Sequence, residues 1–436
     1  MRNREKLLLM TGLILVLNIF CSPILKAQTN TAAAKNYHFT NGQWFDGKKF
    51  RRQTFYSANG ILTQSKPSKI DETIDLQNGY VVPPFSDAHC HMFDASYNVK
   101  QQIDMYLQDG VFYAKSQTNV RTGAAAVADK VNIPTSVDVS YAHGALTHTF
   151  GHGIEIYESL ALGFYGNQFD ENVSKIAASR LRDNDAYYII DTADDLERKW
   201  QKILDGKPNF IKIYLLTSED YEEKLKNIPN IRLGSIGLDP KLVPAIVKKA
   251  HAAGLRVSAH VDTEYDYRIA LEGGVDEMAH MPGYYIESNE KLEEFLLTER
   301  DALETVKRKV WVIPTPILPK DFTKPNDLTK VETVTKRNLT TLKNKKAQIA
   351  IGADHYGKTS VDYAIYISSL GVFSNLEMLK IWCEDTPQTI FPNRKIGNLK
   401  SGYEASFLVL SGDPLGNFEQ VRNIKMRFKQ GYLINL

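Results

Sequence analysis

The stretch Tyr80-Val81-Val82-Pro83-Pro84-Phe85-Ser86-Asp87-Ala88-His89-Cys90-His91 is an apolar run that ends in an acid and two histidines. In an extended chain, residues two apart face the same side, so His89 and His91 can reach one metal ion while Cys90 points away. Alone, a His-x-His pair is a weak sign, because ten histidines make chance pairs ordinary. Its weight depends on whether other apolar runs end in the same way.

They do. Phe210-Ile211-Lys212-Ile213-Tyr214 is strand-like but has a lysine at its centre, and burying a bare ammonium is costly unless it is paired or chemically altered. His260 closes the run from Leu255, His280 closes the run from Val275, and Asp354 closes the run from Ile349. Val111 to Ala114 and Val310 to Pro314 are further apolar runs. Helical patterns lie between several of them. The clearest has Asp239 as N-cap and Pro240 at the first position, buries Leu242, Val243, Ile246, Val247 and Ala250, and stops at Gly254. A capping box, Ser374 to Glu377, opens another. Short buried strands alternating with helices predict a parallel α/β fold, and their number favours a closed (β/α)8 TIM-type barrel. Such a barrel gathers its active site at the carboxyl ends of its strands, where all these groups fall.

The two ends of the chain read differently. Tyr37 to Ile74 looks like short strands with turn signals at Asn41-Gly42, Asp46-Gly47 and Asn59-Gly60. Ala405 to Leu410 and Ile424 to Phe428 are strand-like too. These pieces predict one small β-sandwich domain, built from residues 28–79 and 397–436 around a barrel of residues 80–396. A length of 436 residues suits a large barrel plus an accessory unit.

Residues 1–27 have a basic start (Arg2, Arg4, Lys6), an apolar stretch from Leu7 to Phe20, and a small-residue point at Ala27. This is the pattern of a secretory signal peptide, and it predicts export to the periplasm or medium after cleavage near Ala27, with no membrane span in the mature chain. Asn18-Ile19-Phe20 before Cys21 lacks the small residues expected ahead of a lipidated cysteine. The formal charge of +2 includes +3 from this segment, so the remainder stands at −1 and shows no basic stripe for nucleic acid. Only Cys90 and Cys383 remain beyond the segment, which is no disulfide framework.

As a set, these motifs resemble the amidohydrolase superfamily. Pro83 to His91 is similar to its first-strand motif, and the order His-x-His, Lys, His, His, Asp matches the binuclear branch whose metals are bridged by a carboxylated lysine. Residues 250–260 and 274–280 resemble imidazolonepropionase-like and Xaa-Pro dipeptidase-like members, and residues 396–405 resemble the return to the small β domain. There Ser406 stands where Asp is usual. The resemblance implies that His89, His91 and Asp354 hold one divalent metal and His260 and His280 the other. It also implies that Lys212 bridges them as a carbamate formed with carbon dioxide, which removes the difficulty of a buried cation. Zinc suits imidazole and carboxylate ligands, and manganese, cobalt or iron fit nearly as well.

The implied reaction is attack on a carbonyl by a metal-bridging hydroxide, with Asp354 as catalytic acid–base, cleaving an amide or peptide-like C–N bond of a small-molecule substrate. Lactone or ester hydrolysis uses the same centre. Deaminase relatives carry Glu three places beyond the fifth-strand histidine; here Thr263 stands there and Glu264 follows it. A metal-loaded binding protein without turnover would be expected to have lost ligands, and this chain has all six. His152, Tyr214 and Tyr284 are candidates for substrate contact, each against a plainer reading as a loop or wall residue, and Tyr285 is a further wall candidate. A homo-oligomer is left open.

Overall fold

The computed structural model describes residues 34–228, 230–284, 286, 290–316 and 325–436. The signal segment 1–27 and Tyr285 lie outside the described residues.

The middle of the chain forms two parallel sheets. Phe85–Cys90, Val111–Ser116 and Asp138–Tyr141 make the first. The second has the spatial order Tyr187–Ile189, Ala145–Thr147, Ile211–Tyr214, Val257–His260, Glu277–Met278, Trp311–Val312, Gln348–Ile349. On one side the chain itself passes from Tyr141 of the first sheet to Ala145 of the second, and the Asn209 amide donates to the Tyr141 carbonyl at 2.7 Å. On the other side the Ala88 amide donates to Ile351 at 2.8 Å, while the Ala353 and Asp354 amides both donate to the His89 carbonyl, at 3.2 and 2.7 Å. Ile211–Tyr214 and Val257–His260 are buried along their whole length, as parallel strands covered on both faces must be.

Local sequence chemistry explains the helices between them. Asp239 accepts from the Lys241 amide, Pro240–Leu242 makes a tight first turn, and Val243–Ala252 follows with the expected buried face. The chain turns at Gly254 with φ 73°. The capping box at Ser374 opens the helix Asn375–Lys380.

The terminal pieces join in one eight-stranded mixed sheet, in which Leu408 pairs antiparallel with Val82 and Tyr37–Phe45 pairs with Phe50–Ala58. Three strand spacings separate the strands of Phe39 and Phe428, about 14 Å in a flat sheet. Their ring centroids are 5.1 Å apart, so the sheet curls around an aromatic core that includes Trp44 and Phe407. Asn41-Gly42 is not a turn. It is a bulge inside one strand, with Asn41 at φ 55° and the register shifting between Phe39 and Gly42. A side chain at Gly42 would strike Leu76 and Trp44 at 2.7 Å, so this close packing excludes a Cβ. Ala145–Thr147 is a short strand, with a loop beginning at His148. Cys90 and Cys383 are both free thiols. Among the described residues no helix is long and apolar enough to cross a membrane.

Candidate metal centre

His89 sits near the end of its strand and His91 one residue beyond it. Their Nε2 atoms lie 3.2 Å apart and both face Asp354 Oδ1, at 3.3 and 2.9 Å. These three residues bring ligand atoms within 4.8 Å of one another, a spacing that fits one metal ion. Asp354 adopts φ 49°, a left-handed conformation that aspartate tolerates better than most residues. Its backbone is pinned there by the double hydrogen bond to His89.

His260 and His280 stand beside this group, with His280 ring centroids 4.6 Å from His89 and 4.3 Å from His260. The four imidazoles share a design: one nitrogen is tied to the protein and the other is left for a ligand. His89 Nδ1 donates to the Ala279 carbonyl at 2.7 Å, and His91 Nδ1 faces the Thr118 carbonyl and hydroxyl at 3.2 and 2.9 Å. His280 Nδ1 meets the Thr315 hydroxyl at 2.6 Å, and His260 Nε2 donates to Asp262 at 3.0 Å. A second partner of this kind fixes ring orientation and tautomer in metal sites. It leaves Nε2 of His89, His91 and His280, and Nδ1 of His260.

The electrostatics favour ligands in the right protonation state. Burial pulls His260 down to about 4. Burial, with help from neighbouring cations and imidazoles, holds His89 and His280 well below the usual histidine range. Burial opposes the charge on Asp354, but His89, His91 and His280 outweigh it and keep its carboxyl well below the usual range. Neutral imidazoles and an ionised carboxylate are the forms that bind metal.

Lys212 is 1% exposed, and among the described residues its Nζ has no hydrogen-bond partner. Burial lowers its ammonium to about 7. A buried polar atom without a partner is rare and needs an explanation. A donor set rich in imidazole and carboxylate, together with an orphaned amine that carbon dioxide could convert to a further carboxylate, fits a divalent metal centre.

All six residues of the expected ligand set line one cavity of about 230 Å³. The three substrate-contact candidates, His152, Tyr214 and Tyr284, line the same cavity. His152 Nδ1 pairs with Glu155 at 2.8 Å; burial works against its charge, but Glu155 raises it. Tyr284 stacks on His280 at 4.2 Å and donates to Asp262 at 3.1 Å.

Several residues escaped the sequence reading. Tyr157 and Tyr356 complete the walls, and Thr118 collects hydrogen bonds from Tyr157 and Tyr214 at 2.8 and 3.4 Å as well as orienting His91. Asp262 had a readable signal: it lies two residues beyond His260. Thr118 and Thr315 had none, because a threonine after a strand is common. Asp87, in contact with the Tyr106 hydroxyl and the His89 and Ala353 amides, is pushed up by burial to about 7 and anchors the ligand strands.

No family model matches the chain, and no curated protein does. Solved structures do match along almost its whole length. An amidohydrolase has a TM-score of 0.67 at 17% identity, over 92% of this chain and 99% of its own. A prolidase complexed with N-methylphosphonate-L-proline gives 0.67 at 17%, over 92% and 99%. Phenylurea hydrolase B gives 0.68 at 14%, over 92% and 97%. The chain has the fold shared by these amidohydrolase and prolidase structures.

Proposed function

We propose that this chain is a metal-dependent hydrolase that cleaves an amide or peptide-like C–N bond at a carbonyl. The observation that carries the proposal is the convergence of His89, His91, Lys212, His260, His280 and Asp354 on one cavity, with Lys212 Nζ unpartnered among the described residues. The similar folds of an amidohydrolase, a prolidase and phenylurea hydrolase B support the bond class. In this reading the parallel strands form one (β/α)8 barrel over residues 80–396, and residues 28–79 and 397–436 form a β-sandwich domain beside it. We propose further that residues 1–27 direct export.

His89, His91 and Asp354 would hold one divalent ion and His260 and His280 a second, zinc being the first choice, with Lys212 carboxylated by carbon dioxide to serve both. Such ions, when bound, acidify water and polarise a carbonyl. The remaining work belongs to the chain. Asp354 accepts the proton of the attacking water and passes it to the leaving nitrogen. His152, whose proton Glu155 helps to hold, donates toward the carbonyl oxygen, and Tyr214 and Tyr284 wall the bound substrate and exclude water. The cavity volume admits a small acyl or leaving group rather than a folded polypeptide.

The test is elemental analysis combined with a turnover screen on dipeptides, N-acyl amino acids and lactones. Two divalent metals per chain, activity lost on chelation and regained with metal, and C–N cleavage are expected. Active protein with one metal or none would defeat the binuclear assignment, and turnover confined to lactones would defeat the bond class.

A further inference from the structure

Beneath the cavity lies a polar cluster that none of the proposed chemistry uses. Glu277 is 1% exposed and is the common acceptor of five side chains. Lys115 Nζ donates to it at 2.6 Å, Ser258 Oγ at 2.8 Å, Gln117 Nε2 at 3.0 Å and Arg256 at 3.4 Å; the Thr389 hydroxyl also donates. Burial opposes its charge, but Lys115 and Arg256 outweigh that and hold it at about 2.

The partners of Glu277 are distributed in a telling way. Gln117 Nε2 also donates to the Ala88 carbonyl at 3.0 Å, next to His89. Ser258 lies on the His260 strand, and Glu277 itself lies on the strand leading to His280. The Lys115 ammonium sits 4.3 Å from the Phe210 ring centroid, one residue before the strand of Lys212. Asp354 is tied to His89 through the backbone. One buried carboxylate therefore reaches, directly or through one intermediate, the strands of His89, His260 and His280 and the residue before the strand of Lys212, and it reaches Asp354 through Gln117 and the His89 strand. Stability is a poor explanation for such a cluster, since a buried ion pair often does no better than apolar residues of the same volume. Gln117 strengthens the point: its Oε1 is buried with no partner among the described residues, a cost that apolar packing would avoid.

We infer that Glu277 and Gln117 are positioning residues, which set the spacing of the ligand strands and so the affinity of the metal centre. The inference rests on the metal-centre reading above. Outer partners of metal ligands typically govern affinity by about 10- to 100-fold, and the same range is expected here.

The experiment measures Zn²⁺ dissociation by chelator competition, alongside the urea unfolding midpoint of the metal-free protein, in the full chain. Gln117→Leu removes the link to Ala88 and the orphaned oxygen together. It should leave the midpoint close to wild type and weaken Zn²⁺ by about tenfold or more. The double variant Lys115→Met/Glu277→Leu should fold with apolar packing in place of the ion pair and also lose Zn²⁺ affinity. Zn²⁺ binding within about threefold of wild type in a folded variant overturns the inference, because tenfold is the least that an outer partner should cost. Failure of both variants to fold would make the cluster a folding element and overturn it as well. A wild-type chain that binds no Zn²⁺ would instead bring down the metal-centre reading on which this one stands.

Discussion

In metal-stripped protein, Lys212 carries a cost that methionine would not. Its ammonium falls from 10.5 to about 7 on burial, and at about 1.4 kcal/mol per pH unit that is about 5 kcal/mol of penalty when the unfolded chain is fully protonated. At neutral pH, with the folded group half charged, about 4 kcal/mol remains. Lys212→Met keeps the volume and removes the penalty, so the stripped variant should be more stable than stripped wild type by up to that amount. The sign with pH is fixed. Because the folded value lies below the unfolded one, the unfolded chain binds more protons between about 7 and 10.5, and wild-type stability rises with pH across that window. The advantage of the variant is therefore full below about pH 7 and gone above about 10.5. Zinc should reverse the order. A ligand at about a thousand times its dissociation constant adds about 4 kcal/mol to the form that binds it, and the variant has no amine to carboxylate. The assay is urea unfolding at about pH 6 and about pH 9, in carbon dioxide-free buffer with chelator and in bicarbonate-containing buffer with Zn²⁺. The reasoning is refuted if stripped Lys212→Met is less stable than wild type at the lower pH, or if its advantage does not shrink at the higher one.

Two further outcomes are expected. His143, lowered to about 4 by burial and by Arg121, is held uncharged in the fold; its contribution is intact above about 6.5 and lost as pH falls toward 4, at a cost of about 3 kcal/mol. His143→Gln should flatten acid unfolding over that window, and an unchanged acid limb would discard the assignment. Gly352→Ala would place a Cβ 2.6 Å from His89 Cβ and 2.7 Å from Ile313, an overpacking expected to cost about 1–3 kcal/mol. Zn²⁺ content and the unfolding midpoint should fall together; full metal content in the variant would contradict the close packing at His89.

The six residues that meet at the cavity were legible because each ends or interrupts an apolar run, a pattern with a physical reason in parallel strands. Tyr214 and Tyr284 were legible more weakly, by proximity to those runs, and His152 by the resemblance of its loop to one in amidohydrolases; all three line the same cavity. What stayed hidden depends on packing across the chain. Nothing in the sequence joins Lys115 to Glu277, 162 residues away, or aims Thr315 at His280. The Asn41-Gly42 pair misled because a turn and a bulge require the same backbone freedom, and only the neighbouring strand decides between them.

The hydrogen bond from the Ala353 amide to Asp87 spans 266 residues of chain, and the double bond from Ala353 and Asp354 to His89 spans almost as many. His89 and Asp354, the first and last in sequence of the six residues at the cavity, thus meet only when everything between them has found its place. Contacts of such high sequence separation form late and slowly. A chain still emerging from synthesis, or truncated before Asp354, cannot offer the complete set of six residues, so metal uptake, as proposed, would report on completed folding. Once bound, the ion would act as a clasp on the seam where folding ends and unfolding is most easily begun.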